Sequence, residues 1–159
     1  MRYAGINKND ITAGEGICVT LYTQGCPHQC PGCHNPETWD FNGGHSYTPV
    51  VEGEIIKALT ENGITRNLAI QGGEPLCDEN AMWVYNLIAK VKSLLPEVKV
   101  YIWSGYYYEE LLKSSNDFIL GCLRTADVLI DGPYIASERD VTLPMRGSRN
   151  QRIIDLTLK

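Results

Sequence analysis

The sequence predicts an α/β protein: an open, partial (β/α) barrel of four to five mainly parallel strands. Strand-like and helix-like segments alternate along the chain, and the helical segments are long enough to connect parallel strands. The 159 residues are too few for a closed eight-stranded barrel, which takes about 250. The same length predicts a single domain over 1–159, with a core that needs no disulfide bonds.

Short runs of β-branched and aromatic residues, bounded by glycine or proline, predict the strands. The first such run is Cys-Val-Thr-Leu-Tyr-Thr, which is preceded by Gly14 and Gly16 and followed by Gly25. Four strands follow one another along the chain and a fifth is predicted near its end, at 18–23, 67–71, 98–103, 127–131 and 152–157.

Apolar residues at helical spacing predict the helices between these strands. The first helix begins at the Thr48-Pro49 pair, an N-cap followed by a first-turn proline, and ends at Asn62-Gly63. Asp78 is predicted to cap the second helix. Two shorter helices are predicted near 108–112 and 118–123.

The charge and the hydropathy of the chain argue against nucleic acid and membrane as partners. The net charge is −5 and the lysines and arginines do not cluster, whereas binding to a nucleic-acid backbone needs a basic surface. No apolar run approaches the ~20 residues that cross a bilayer, and the first residues lack the apolar core of an export signal. We therefore predict a cytoplasmic protein that binds neither nucleic acid nor membrane.

The most informative motif is a run of three cysteines, Cys26, Cys30 and Cys33, with the spacing CxxxCxxC. A 4Fe–4S cluster normally takes four cysteine ligands. Three ligands would leave one iron open to a small molecule. Prolines and a glycine between the cysteines disfavour a helix, so the segment is predicted to be a loop that folds around the cluster.

Other interpretations of the cysteines remain open. His28 or His34 could complete a zinc site, although zinc usually takes two pairs of ligands and Cys18, Cys77 and Cys122 stand alone. Cys77 is an alternative fourth iron ligand, but a lone cysteine is by default a small buried thiol. A disulfide framework is disfavoured because six cysteines in a chain of this length are too sparse for one.

Each unusual motif follows a predicted strand. The cysteine loop follows the first strand, Gly72-Gly73-Glu74 the second, Ser104-Gly105 the third, and Asp131 ends the fourth. Ligands of parallel sheets bind at the carboxyl ends of the strands. We therefore expect the active site at this edge.

The cysteine motif, together with Gly72-Gly73-Glu74-Pro75, resembles that of the radical S-adenosylmethionine enzymes. Further motifs are similar to those of the anaerobic ribonucleoside-triphosphate reductase-activating proteins, short members of the glycyl-radical-activating group. These motifs are Gly14-x-Gly16, Gly25-Cys26, Cys30-Pro-Gly-Cys-His-Asn-Pro-Glu-Thr-Trp39, Trp103-Ser-Gly-Tyr106, Asp131-Gly132 and Arg146-Gly-Ser-Arg-Asn-Gln151. The resemblance covers roughly 11–151.

The resemblance implies an enzyme with one 4Fe–4S cluster held by Cys26, Cys30 and Cys33, and with S-adenosylmethionine as second cofactor. Such an enzyme generates a glycyl radical on the anaerobic ribonucleoside-triphosphate reductase and releases 5′-deoxyadenosine and methionine. Flavodoxin or ferredoxin would supply electrons of low potential. Alternatives are an activase of another glycyl-radical enzyme, such as pyruvate formate-lyase, and a non-catalytic iron–sulfur or zinc-stabilised binding module.

The resemblance also implies roles for single residues. It places the methionine end of the cofactor at the glycine-rich turn, with Glu74 near the amino group. The other predicted cofactor-binding residues are Gly32, Cys33, His34, Gly72, Gly73, Ser104 and Asp131. For Asp131 a ribose contact and simple capping are equally open, and Trp103 could line the pocket.

Several further positions have weaker assignments. His28 and His45 are predicted to lie at the surface, and His34 beside the cluster rather than acting as a base. Gly32 stands where many radical S-adenosylmethionine enzymes carry an aromatic residue that can pack on the adenine, so that stacking is lost here. Cys18 lies near the position after Gly14-x-Gly16 at which relatives often carry an arginine. Arg146, Ser148 and Asn150 are placed near the active face without individual roles.

Overall fold

The structure, a computed structural model, describes residues 1–158. Within them a single seven-stranded sheet is formed by β1 (Arg2–Asp10), β2 (Cys18–Gln24), β3 (His45–Ser46), β4 (Asn67–Gly72), β5 (Val100–Trp103), β6 (Val128–Asp131) and β7 (Arg152–Asp155). The helices are α1 (Pro49–Ala58), α2 (Ala81–Leu94), α3 (Tyr108–Leu112) and α4 (Asp117–Thr125). None of these helices has the length and apolar character needed to cross a membrane.

The predicted partial barrel of four to five mainly parallel strands is wrong. The sheet is mixed, in the order β3-β1-β2-β4-β5-β6-β7, with β3 and β7 as its two edges. Only the ladders that join β2, β4, β5 and β6 are parallel. β1 pairs antiparallel with β2 and β3, and β7 pairs antiparallel with β6. The architecture is that of an α/β protein with antiparallel flanks.

Most predicted elements are present, with shifted ends. The Thr48 side chain accepts a hydrogen bond from Val51 N (3.4 Å) and caps α1, as predicted. The predicted cap of α2 is wrong, because α2 begins at Ala81 and the Asp78 carboxylate instead accepts from Asn116 Nδ2 at 2.9 Å.

The two faces of the sheet are covered differently. Alternate strand residues such as Leu21, Ile70 and Ile102 are fully buried against the helices, where each contributes about 1.5–3 kcal/mol of apolar burial. Connections between adjacent parallel strands share one hand, which places the helices on one face. Loop residues, including Ala13 and Met145, cover the other face. The site lies on that second face.

Candidate functional site

A cavity of about 480 Å³ opens where β2, β4, β5 and β6 end, on the face covered by loops. Its wall combines the cysteine loop, the turns after β4 and β5, and the segment that follows β6. The lining residues are Thr12, Ala13, Tyr22, Cys26, His28, Cys30, Cys33, His34, Asn35, Trp39, Gln71, Gly72, Gly73, Glu74, Trp103, Ser104, Gly105, Gly132, Tyr134, Met145, Arg146, Gly147 and Gln151.

The three loop cysteines face this cavity as free, half-buried thiols. Backbone hydrogen bonds shape the loop: Gly25 N donates to Thr38 O (2.7 Å), Cys26 N to Trp39 O (3.2 Å) and Cys33 N to Cys30 O (3.1 Å). A positive φ of 78° at Gly32 lets the chain turn between the last two cysteines. The loop thus presents three thiols to one space.

Burial raises the pKa of the Cys26 thiol to about 11. A metal ligand must be a thiolate, so metal binding there would displace a proton. Within residues 1–158, no three His, Cys, Asp or Glu side chains are grouped closely enough to hold a single metal ion. In a cubane each thiolate binds a different iron, so three separated thiols on one cavity wall fit such a cluster.

Cys77 belongs to different surroundings. It is buried, its Sγ donates to Glu74 O at 3.2 Å, and burial raises its pKa to about 12. It lines a second, smaller cavity with Leu76 and Tyr106, outside the one that holds the three loop thiols.

The Gly-Gly-Glu turn packs directly on the entry to the cysteine loop. Gly72 has a φ of 101°, and Gly73 N donates to Thr23 O at 2.9 Å. Glu74 N donates to Gly25 O at 2.8 Å. A Cβ on Gly73 would overlap the Gly25 carbonyl. The turn therefore needs glycine for this approach.

The Glu74 side chain is fully buried, and its carboxylate accepts four hydrogen bonds. Oε1 accepts from Leu76 N and Ser104 Oγ, both at 2.9 Å. Oε2 accepts from Gly105 N at 2.6 Å and from His28 Nε2 at 2.7 Å. The predicted proximity of Glu74 to a bound amino group stays a prediction.

The surface position predicted for His28 is wrong. Its side chain is 17% exposed and lies between Glu74 and Tyr106, whose ring meets the imidazole edge-on with centroids 4.4 Å apart. The buried position of His28 depends on its contact with Glu74, which lies 46 residues further along the chain, so no local sequence pattern reveals it. His45 is exposed, as predicted.

Gly32 and His34 lie near a residue that the sequence did not single out. The ring of Tyr134 is tilted against that of exposed His34, with centroids 5.3 Å apart. Tyr134 Cε1 lies 3.5 Å from where a Gly32 Cβ would be. Gly32 itself is not among the lining residues, whereas Tyr134 is.

Ser104 lines the cavity, but Asp131 does not. The buried Asp131 carboxylate accepts from Tyr108 N (2.8 Å) at the start of α3 and pairs with Arg152 Nη2 (2.5 Å). Asp131 thus has the capping role, whereas its contact with a ribose stays a prediction. Trp103, anchored by its Nε1 donating to Met145 O (2.8 Å), lines the cavity as anticipated.

The late polar motif separates into structural and cavity-facing residues. Ser148 is fully buried, and its Oγ lies 2.6 Å from Asn150 Oδ1. Asn150 Nδ2 donates to Pro133 O at 2.7 Å. Arg146 instead lines the cavity, where Nε and Nη1 make only long contacts of 3.3 and 3.4 Å with backbone carbonyls.

Sequence reasoning missed several lining residues. Tyr22 and Gln71 lie on β2 and β4 with side chains on the loop-covered face, and the two-residue period of a strand could have indicated that face. Thr12 and Met145 lie in loops, where no periodic signal exists.

Comparison with known proteins identifies the class. A family model described as "4Fe-4S single cluster domain" matches residues 12–154. The anaerobic ribonucleoside-triphosphate reductase-activating protein of Vibrio cholerae is 38% identical over 159 residues, covering 99% of this chain and 100% of its own. The proteins of that name from Haemophilus influenzae and Enterobacteria phage T4 are 36% and 34% identical, covering 96% of this chain and 97% and 93% of their own. The chain belongs to the family of anaerobic ribonucleoside-triphosphate reductase-activating proteins.

Proposed function

We propose that this chain is an activase that uses a 4Fe–4S cluster and S-adenosylmethionine to generate a glycyl radical on an anaerobic ribonucleoside-triphosphate reductase. The names of its relatives support the reductase as target. The observation that carries the chemistry is the placement of three free thiols and the Gly72-Gly73 turn on the wall of one cavity. All six cysteines are free, which fits the reducing cytoplasm as the place of action.

Cys26, Cys30 and Cys33 would hold the cluster, leaving one iron for the amino and carboxylate groups of S-adenosylmethionine. A cluster bound there, reduced by flavodoxin or ferredoxin, would supply the low-potential electron for cleaving S-adenosylmethionine to methionine and 5′-deoxyadenosine, with the hydrogen atom taken from a glycine of the reductase. The protein supplies orientation and a dry environment.

The chain's own residues suit those tasks. The turn at Gly72 and Gly73 offers backbone without side chains, so a ligand can approach closely. Trp39, Trp103 and Tyr134 give the wall aromatic surface against which a ligand can pack. The cavity thus combines aromatic surface with polar side chains such as Thr12, Gln71 and Arg146.

An anaerobic radical assay tests the proposal. Reduced protein, S-adenosylmethionine and a reductase of the relatives' type are mixed, and a glycine-centred radical is sought by electron paramagnetic resonance. Cys30→Ala should abolish the signal, because one of three ligands is lost. Cys77→Ala, the matched control, should retain it. Loss of the cluster in Cys77→Ala would contradict the ligand assignment.

Metal analysis separates the proposal from a binding module. After anaerobic purification, about four irons and four sulfides per chain, bleached by air, would support a cubane cluster. Stoichiometric zinc, or a cluster whose spectrum does not respond to S-adenosylmethionine, would contradict the proposed activity.

A further inference from the structure

The Glu74 carboxylate joins three segments of chain inside the protein. An ionised carboxylate has about four acceptor positions, and here all four are filled by donors from the protein. Leu76, Ser104 and Gly105 belong to the turns after β4 and β5. His28 comes from the cysteine loop. Because the side chain is fully buried, it connects these segments inside the protein.

His28 is the link between the loop and those turns. Among the hydrogen bonds of the described chain, the His28–Glu74 contact of 2.7 Å alone connects residues 26–33 to the turns after β4 and β5. The other hydrogen bonds of this stretch run within the loop or to Trp39. Without His28, the segment carrying the three thiols would be tied only at its ends.

The imidazole occupies a fitted position. Tyr106 packs edge-on against one side of the ring. A Cβ on Gly105 would lie 2.5 Å from His28 Cδ2, so only glycine leaves room for the ring there. Packing and hydrogen bonding therefore fix the same orientation, which a side chain merely passing along the surface would not need.

We propose that His28 and Glu74 are a positioning pair that holds the cysteine loop against the ends of β4 and β5, and so sets where the three thiols lie. The inference rests on the proposed function only in taking these thiols as cluster ligands. His28 also lines the cavity, but the assigned role is to position the loop. It acts through the loop.

The test uses three variants of the full chain. His28→Leu removes the donor, His28→Gln places an amide nitrogen near the position of Nε2, and His45→Leu changes an exposed histidine as control. The first readout is the rate at which iodoacetamide alkylates Cys30 and Cys33 in cluster-free protein, followed by peptide mass spectrometry. The second is the rate of iron release to a chelator from reconstituted protein.

Positioning predicts that His28→Leu raises both rates about tenfold, that His28→Gln restores most of the difference, and that His45→Leu changes neither. The positioning role is wrong if His28→Leu is alkylated at the wild-type rate. It is also wrong if His28→Gln is alkylated as fast as His28→Leu.

The two proposals fail in different ways. If His28 were an iron ligand, both His28 variants would alter the electron paramagnetic resonance spectrum of the reduced cluster while leaving cluster-free alkylation unchanged, and the pair would be wrong. If wild-type protein assembles no cluster, the proposed function is wrong, and the alkylation rates alone still decide whether His28 positions the loop.

Discussion

Asp10 is a buried carboxylate whose hydrogen bonds set its charge state. Thr12 N and Thr12 Oγ1 donate to Oδ1 at 2.9 and 2.8 Å, and Thr20 Oγ1 donates to Oδ2 at 2.7 Å. Burial alone would raise the pKa of Asp10, but these hydrogen bonds outweigh it and lower the pKa. The charged form is therefore favoured by the folded state.

Asp10→Asn should lower the free energy of unfolding at pH 7 by about 1.5–3 kcal/mol, the usual value for hydrogen bonds to a charged group. A carboxyl with a depressed folded pKa stabilises above its unfolded pKa, and this stabilisation is lost as the pH falls through the folded value. Urea unfolding at pH 7 and pH 3 should therefore show a smaller difference between variant and wild type at pH 3. An equal difference at both pH values would contradict this assignment.

Arg146 is the single arginine or lysine among the residues lining the main cavity, and within 1–158 it forms no ion pair. Under the proposed function, its planar guanidinium suits the carboxylate of S-adenosylmethionine. Arg146→Gln should raise the Kd for S-adenosylmethionine about tenfold, measured by calorimetry on cluster-loaded protein. Arg149→Gln, at an exposed position outside the lining, is the control. Equal Kd values in both variants would exclude this role.

Sequence patterns identified site residues that lie close together along the chain. They missed contacts between side chains that are far apart in the sequence. The spacing of Cys26, Cys30 and Cys33 is visible in eight residues, and the structure brings all three to the cavity. The contact between His28 and Glu74 and that between His34 and Tyr134 join positions 46 and 100 apart. Neither contact leaves a periodic or compositional trace, so only the folded chain reveals it.

At the level of elements, the turns place the site and depend on close backbone approach. Gly73→Ala should destabilise the protein and loosen the cysteine loop, because the added Cβ would overlap the Gly25 carbonyl, which is backbone and cannot move aside. Gly53→Ala, inside α1 with open space around it, should stabilise by about 0.5–1 kcal/mol. Thermal unfolding of the Gly73→Ala and Gly53→Ala variants tests both expected changes in stability. A Gly73→Ala variant as stable as wild type would contradict the packing described.

Element prediction succeeded where local pattern and tertiary packing agreed. Helix α1 has its proline and cap in sequence, and the strand from Cys18 is rich in β-branched and aromatic residues. Strand β1 was missed because Gly5 and the polar run at 7–10 lack strand alternation. Its pairing with β2 along most of its length stabilises it instead. The direction of pairing at both flanks has no signal within either strand.

At the scale of the whole molecule, the two coverings of the sheet predict uneven local stability. Helix α2 contributes Val84, Leu87 and Ile88 to the core, whereas the segment 25–41 is held mainly by hydrogen bonds. These are backbone hydrogen bonds, the bonds from Gln24 Nε2 to two carbonyls of the segment (2.8 and 2.7 Å), and the His28 contact. Removing the cluster should speed amide exchange in 25–41 and leave α2 unchanged, as followed by hydrogen–deuterium exchange mass spectrometry. Equal loss of protection in α2 would show that both layers open together.

Strand β1 is longer than its outer neighbour, and that has a bearing on self-association. β3 pairs only with Arg2 and Tyr3, so within the described chain the outer backbone of β1 beyond Tyr3 is left without a strand partner. Exposed Asn7, Lys8 and Asn9 occupy this open stretch. Polar and lysine side chains there make docking of another strand costly. The same polar residues that remove the alternation expected of a strand thus disfavour the pairing of a second copy at this edge.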